Sequence, residues 1–184
     1  MSDAVSLEEG YAVACVVGTD ISEHLPTLRR YAEGCRHVTE FGVHFGVSTT
    51  ALLAARPQRL HSYDIVRQEG HVTQLEQWAR ENGLDFTFHL QNVLDAVIEP
   101  TEMLLIDDRH HRDHVLAELE RHHEKVSRWL LFHDTVTYGW IGQEGEPGTG
   151  INPGIEEFLR RHPEWQEYER FENNNGLLIL RRIA

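Results

Sequence analysis

The chain is poor in the features that would assign it to several classes of protein. It has only two cysteines, Cys15 and Cys35. Two cannot build a disulfide framework, and neither lies in a metal or redox motif, so a reducing cytoplasmic location is expected. No apolar run approaches the roughly 18–20 residues that a membrane span needs. The longest early run, Ala12 to Val17, follows Glu8 and Glu9 rather than a basic stretch, which argues against a signal peptide. Basic residues are scarce: seventeen Lys and Arg stand against thirty Asp and Glu, a formal charge of −13. That balance argues against a duplex-binding module and against a polybasic membrane anchor, while leaving room for a local basic pocket. Repeats and low-complexity segments are absent. What is present is ordinary globular material: 184 residues, 40% hydrophobic and 26% charged, enough for one domain with a sizeable core. Histidine is the exception. There are thirteen, and because imidazole titrates near neutrality and ligates metals, their placement matters.

Hydrophobic periodicity alternates between strand and helix. An N-terminal helical segment occupies residues 1–35, with a helix opening at Thr19–Glu23, where Asp20 or Ser22 could cap it. His37–Gly42 reads as a strand. Ser48-Thr49-Thr50 could cap a helix over Ala51–Ala55. Arg59–Ile65 is a second strand, Val72–Glu81 an amphipathic helix ended by Asn82-Gly83, and Asp85–Leu90 a third strand. Glu102–Asp107 is apolar enough for a strand buried on both faces. A charged helix follows over Arg112–Lys125, with Val115, Leu116 and Leu119 as its stripe, then a fifth strand over Arg128–Asp134. His122-His123 near that helix's end suits partly protonated imidazoles at the negative end of the dipole. Residues 136–153, rich in glycine and proline, read as a loop able to act as a lid, and Ile155–Arg161 as a short helix. Tyr168–Phe171 and Leu177–Leu180 flank Asn173-Asn174-Asn175-Gly176, a strong hairpin signal. The sum is a single α/β domain over 1–184: a doubly wound, mainly parallel, seven-stranded Rossmann-like sheet with an antiparallel C-terminal hairpin strand. Such sheets bind ligands at the carboxyl ends of their strands, which points to Glu40, Asp64, Asn92, Asp107 and Asp134.

Glu40-x-Gly42-x-His44-x-Gly46-x-Ser48 follows the first strand. Gly42 permits a sharp turn, Gly46 a close backbone approach, and the next helix offers free N–H groups. An acid two residues before the first glycine repels a pyrophosphate but attracts an ammonium or sulfonium cation. Asp64, eighteen residues past Gly46, can accept hydrogen bonds from both hydroxyls of a ribose. This arrangement resembles the S-adenosylmethionine site of class I methyltransferases, with Glu40, Gly42, His44, Gly46, Ser48, Asp64 and Asn92 as the cofactor residues. Further motifs carry the resemblance from about residue 15 to the end: Asp20-Ile21-x-Glu23-His24-Leu25, Gly46-Val47-Ser48-Thr49-Thr50, Phe132-His133-Asp134-Thr135, Ile155–Leu159 and Asn173–Leu177. Together they resemble a group of small bacterial methyltransferase-like proteins, related to metal-assisted sugar and antibiotic O-methyltransferases and to cephalosporin hydroxylase-type proteins.

Methylating a hydroxyl requires its proton to leave as the oxygen attacks, a task suited to a divalent cation and a general base. Asp107 and Asp134 end strands that are neighbours in the class I order, which would set them about 5 Å apart, suited to Mg²⁺ or Mn²⁺. The resemblance implies metal ligands at Asp107, His133 and Asp134, and a base at His110. Two departures stand out: His133 takes the place of an acid, and Asp108 the place of a glycine. His110 and His114 share a helical face and could chelate zinc with His133. Tyr138-Gly139-Trp140 could stack on a ring substrate. The implied activity is O-methylation of a small hydroxylated molecule, by a protein without nucleic-acid or membrane partners, with a homodimer open. A metal-dependent hydrolase or oxygenase on the same scaffold, and a non-catalytic cofactor-binding module, are the other readings.

Overall fold

The computed structural model describes residues 5 to 183, so the outermost ends of the expected 1–184 domain lie outside the described residues. Seven strands form one sheet: β1 (His37–Phe41), β2 (Arg59–Asp64), β3 (Asp85–Leu90), β4 (Thr101–Ile106), β5 (Val126–His133), β6 (Trp165–Phe171) and β7 (Leu177–Arg182), in the order β3-β2-β1-β4-β5-β7-β6. β1 to β5 pair in parallel, and β7 runs antiparallel to both β5 and β6. The order reverses between β1 and β4, which makes their carboxyl ends the switch point of the sheet.

Among the described residues, six α-helices cover the two faces: α1 (Leu7–Ala14), α2 (Leu25–Ala32), α3 (Val47–Ala54), α4 (Glu69–Asn82), α5 (Arg112–His122) and α6 (Ile151–Arg161). Because side chains alternate along a strand, each central strand feeds two cores. On one face Val38, Met103, Leu105 and Leu131 meet Leu7, Leu28, Leu52 and Leu75 of α1 to α4. On the other, Leu104, Ile106, Leu130 and Phe132 meet Val115 and Leu119 of α5 and Ile155 and Phe158 of α6. None of the described helices is long and apolar enough to cross a membrane.

Several local expectations are corrected. Ser6 and Glu9 form a capping box on α1. Neither Asp20 nor Ser22 caps α2. The Ser22 hydroxyl instead accepts the Thr19 N–H at 2.9 Å, and a 3₁₀ turn over Ser22–His24 leads in. Ser48, Thr49 and Thr50 lie inside α3, which starts at Val47 with Gly46 in the capping position. α6 starts at Ile151 rather than Ile155, because Pro153 is tolerated in the first turn, where its missing N–H has no partner to lose. α5 ends at His122, before a 3₁₀ turn over His123–Lys125. His122 and His123 are structural, but not as cations. Both are buried, burial lowers their pKa values, and the His122 ring donates from Nε2 to the Val93 carbonyl at 2.9 Å.

Leu105 is fully buried in the central strand, whereas Val97 is 82% exposed. Leu105→Ala is expected to cost about 2–5 kcal/mol, and Val97→Ala to stay within about 0.5 kcal/mol of the parent. Urea denaturation checks this. Equal losses for the two would show that the sheet is not built on this core.

Candidate active site

The glycine loop is shaped by its own chain. Gly42 has φ +82°, and a Cβ there would lie 2.0 Å from the Asp107 carbonyl oxygen, so the loop can pass the end of β4 only without a side chain. Gly46, φ +76°, would place a Cβ 2.7 Å from a Leu75 methyl. Its close approach therefore serves packing against α4, whereas the sequence suggested approach to a ligand. His44 is exposed, with φ +46°, its ring 3.8 Å from that of Phe45.

Glu40, expected beside a cofactor cation, is fully buried. Its carboxylate accepts from Ser48 at 2.7 Å, Thr49 at 2.8 Å and Ser62 at 2.6 Å. Burial pushes the acid up, the three hydroxyls offset part of that effect, and the result is about 7. The Ser48 hydroxyl is therefore committed to Glu40, tying α3 to β1 and β2. Asp64 is half-buried at the end of β2. Its Oδ2 accepts from Val43 N–H at 2.9 Å and His44 N–H at 3.0 Å, and its Oδ1 from Val66 N–H at 2.9 Å. A carboxylate offers about four acceptor positions, so Asp64 has room for one more donor rather than for both hydroxyls of a ribose. Asn92 is exposed and its Oδ1 accepts the Leu94 N–H at 2.9 Å. Phe45, Ile65, Val66 and Leu90 expose apolar surface around these strand ends.

The second group sits at the ends of β4 and β5. Ile106 pairs with Phe132 in register, so Asp107 and His133 leave the sheet side by side. His133 Nδ1 lies 3.1 Å from Asp107 Oδ1. Asp134 adopts a left-handed φ of +61°, and its Oδ2 lies 3.0 Å from His110 Nε2 and 3.6 Å from His133 Nδ1. His110 Nε2 is also 3.5 Å from Asp107 Oδ1. The four expected residues thus converge. Burial would lower both imidazoles, but the facing carboxylates outweigh it and push His110 and His133 up to about 9. Burial likewise would raise Asp107, yet the two imidazoles hold it well below the usual carboxylate range.

The tautomer of His133 follows from its surroundings. Nε2 faces the carbonyl oxygens of Asp20 at 3.1 Å and Asn174 at 3.3 Å. Both are pure acceptors, so Nε2 carries a proton and Nδ1 is the atom turned to the carboxylates. A backbone carbonyl on the far nitrogen is also what orients a metal-bound imidazole. Asp107, His133 and Asp134 each offer a ligand atom within 4.8 Å of the others, so the residues fit a divalent cation. His110 and His114 do not form one ligand set: His110 turns to Asp107 and Asp134, while His114 turns to Asp108.

Sequence reasoning missed the buttress behind His133. The Asn173–Gly176 turn does more than reverse the chain. His24 Nε2 bonds the Asn173 carbonyl at 2.9 Å, Asn174 accepts the Glu23 N–H at 2.8 Å, and its amide donates to the Thr19 carbonyl at 3.0 Å. The motifs at residues 20–25 and 173–177 are thus one lock. Tyr138 stacks on His110 with ring centroids 4.8 Å apart, and exposed Trp140 lines a cavity of about 430 Å³ with Thr135, Val136, Asn152, Arg170 and Glu172. A larger cavity of about 550 Å³ lies at the opposite, amino ends of the strands and is remote from these groups.

The fold is that of the class I methyltransferases, as the motifs implied. The chain superposes on a Corynebacterium glutamicum protein with a TM-score of 0.71, at 13% identity, covering 100% of this chain and 92% of that one. An O-methyltransferase from Bacillus cereus, solved in complex with SAH, matches with a TM-score of 0.65 at 16% identity over 99% and 92% of the two chains. The N-methyltransferase NodS from Bradyrhizobium japonicum matches with a TM-score of 0.62 at 14% identity over 90% and 97%. No protein-family model matches the sequence, and no curated protein matches it. At these identities the likeness establishes architecture.

Glu40 supplies a pH test. Its folded pKa of about 7 lies above the ordinary 4.5, so the fold binds its proton more tightly than the unfolded chain does. That stability is fully present below about pH 4.5 and is lost as pH rises toward 7. Thermal melts of the parent and Glu40→Gln should diverge across this window, with the parent losing up to about 3 kcal/mol relative to the variant. Parallel curves would show that Glu40 is not held as described.

Proposed function

We propose that the protein is an S-adenosylmethionine-dependent methyltransferase acting on a hydroxyl of a small molecule with the help of a divalent cation. The observation that carries this reading is the convergence of Asp107, His110, His133 and Asp134 beside the switch point of a sheet whose structural neighbours include an O-methyltransferase in complex with SAH.

S-adenosylmethionine, when bound, supplies a methyl group made electrophilic by its sulfonium sulfur. Asp64 would hold one ribose hydroxyl on its remaining acceptor position, and the exposed Phe45, Ile65, Val66 and Leu90 offer apolar surface to a flat base. Asp107, Asp134 and Nδ1 of His133 would hold the cation, which when bound lowers the pKa of a coordinated hydroxyl. With Asp107 and Asp134 given over to the cation, His110 would be relieved of the proton that these carboxylates hold on it, and would then take the acceptor's proton at Nε2. Tyr138 stacks on the His110 ring, and the methyl acceptor would enter from the cavity lined by Trp140 and by Thr135, the residue after Asp134. Trp140 presents a face for stacking on a sugar or other ring.

Calorimetry with S-adenosylhomocysteine tests the donor half. The parent is expected to bind, and Asp64→Ala to weaken binding roughly 10–100-fold, the worth of one charged hydrogen bond with some loss of loop order. Absence of heat with the folded parent would remove the proposal. For the chemical half, Asp134→Asn should abolish transfer to hydroxylated acceptors while leaving S-adenosylhomocysteine affinity within about threefold, because Asp134 is assigned to the acceptor side. A variant that loses cofactor binding and turnover together would contradict that assignment.

A further inference from the structure

We propose that Asp108, His114 and Glu118 form a second divalent-cation site, of a chemistry suited to zinc and separate from the Asp107, His133 and Asp134 set. It goes beyond the methyl-transfer reading and does not rest on it.

The site is built by one strand end and one helix. Asp108 follows β4 directly. His114 and Glu118 are one turn apart on α5, and so share a face. His114 Nε2 lies 3.2 Å from Asp108 Oδ2 and 3.7 Å from Glu118 Oε1, and the three ligand atoms all fall within 4.8 Å of one another. At bond lengths of about 2.1 Å, an ion shared by His114 and Asp108 would subtend about 100° between them, and one shared by His114 and Glu118 about 120°. Those angles suit a tetrahedral or five-coordinate ion with an open position, and one imidazole with two carboxylates is a zinc-type donor set.

The independent observation is the state of Glu118. Its side chain is fully buried, and neither carboxylate oxygen has a hydrogen-bond partner among the described residues. Asp108 Oδ1 is buried and unpartnered as well. Buried polar atoms are almost always satisfied, and a buried carboxylate without partners is among the costliest groups a fold can hold. No arginine or lysine pairs with Glu118 among the described residues; the cationic group facing it is the His114 imidazole, 3.7 Å away. Burial and the facing Asp108 carboxyl group push the Glu118 acid up, and an ion between Glu118 and Asp108 would offset the repulsion of the two. The Asp108 and His114 side chains keep 19% and 14% of their surface exposed, which leaves a route in from solvent. An ion held there would tie α5 to the residue next to Asp107 and so steady the end of β4.

Zinc binding by chelator-stripped protein tests the proposal, with bound metal counted by mass spectrometry and Co²⁺ absorption as a second readout. The parent is expected to take up zinc, with imidazole-type Co²⁺ bands. His114→Gln and Glu118→Gln should each weaken this site by more than about 100-fold, beyond the roughly 10–100-fold that loss of an outer partner costs. Asp134→Asn should leave it intact. His114 is partly exposed, so its variant keeps the test decisive if Glu118→Gln fails to fold. Three results would overturn the proposal: no zinc uptake by the parent; zinc lost in Asp134→Asn but kept in His114→Gln; or a Glu118→Gln protein that is folded and more stable than a parent that takes no metal, which would show a proton shared between Glu118 and Asp108. S-adenosylhomocysteine binding is read separately, so failure of the methyltransferase reading leaves these outcomes distinct.

Discussion

Parallel pairing of β4 with β5, in register through Ile106 and Phe132, is the constraint on which the chemistry depends. It brings two chain segments out of the sheet side by side, with Asp107 on one and His133 on the other. A slip of one residue would turn every side chain of one strand to the opposite face and send these groups into the wrong core. The register is held from both sides. Leu105 and Leu131 are locked into one core, Leu104 and Phe132 into the other. β7 then pairs with β5 and places the Asn173–Gly176 turn behind His133, where the Asn174 carbonyl sets the ring's tautomer.

The same logic explains the glycine loop. Gly42 has no side chain because the Asp107 backbone passes over it, so the loop after β1 and the end of β4 are fitted to one another. Glu40 fastens the underside of that loop through three hydroxyls, and Asp64 fastens its top through two N–H groups. Two acids both expected at the cofactor thus differ in their surroundings. One is sealed in the core with a pKa near neutrality. The other is at the surface with one acceptor position left for a ligand.

Much of this was legible in the sequence, for physical reasons. The alternation of strands and helices and the terminal hairpin follow from hydrophobic periodicity and the Asn-Gly turn, whereas the strand order and the meeting of Asp107, His110, His133 and Asp134 are what the resemblance to class I methyltransferases implies. Side-chain hydroxyls were not legible. Ser48 and Thr49 have the composition of a helix cap, and nothing local shows that a buried Glu40 claims them from across the loop. The Asn-Gly turn announced a hairpin but not its hold on His24 and His133, which depends on contacts 149 and 41 residues apart in the chain. Glu118 was hidden in a charged helix. Its spacing from Val115, three residues, places it on the stripe that faces the core, and that spacing is the signal that could have found it.

The most direct measurement is a crystal structure of the protein grown with S-adenosylhomocysteine. The account requires the nucleoside to lie over the glycine loop, with a ribose hydroxyl within hydrogen-bond distance of Asp64 and the sulfur directed toward the Asp107 and Asp134 carboxylates. A ligand bound elsewhere, or a crevice still closed by the side chains of the loop at saturating ligand, would contradict it.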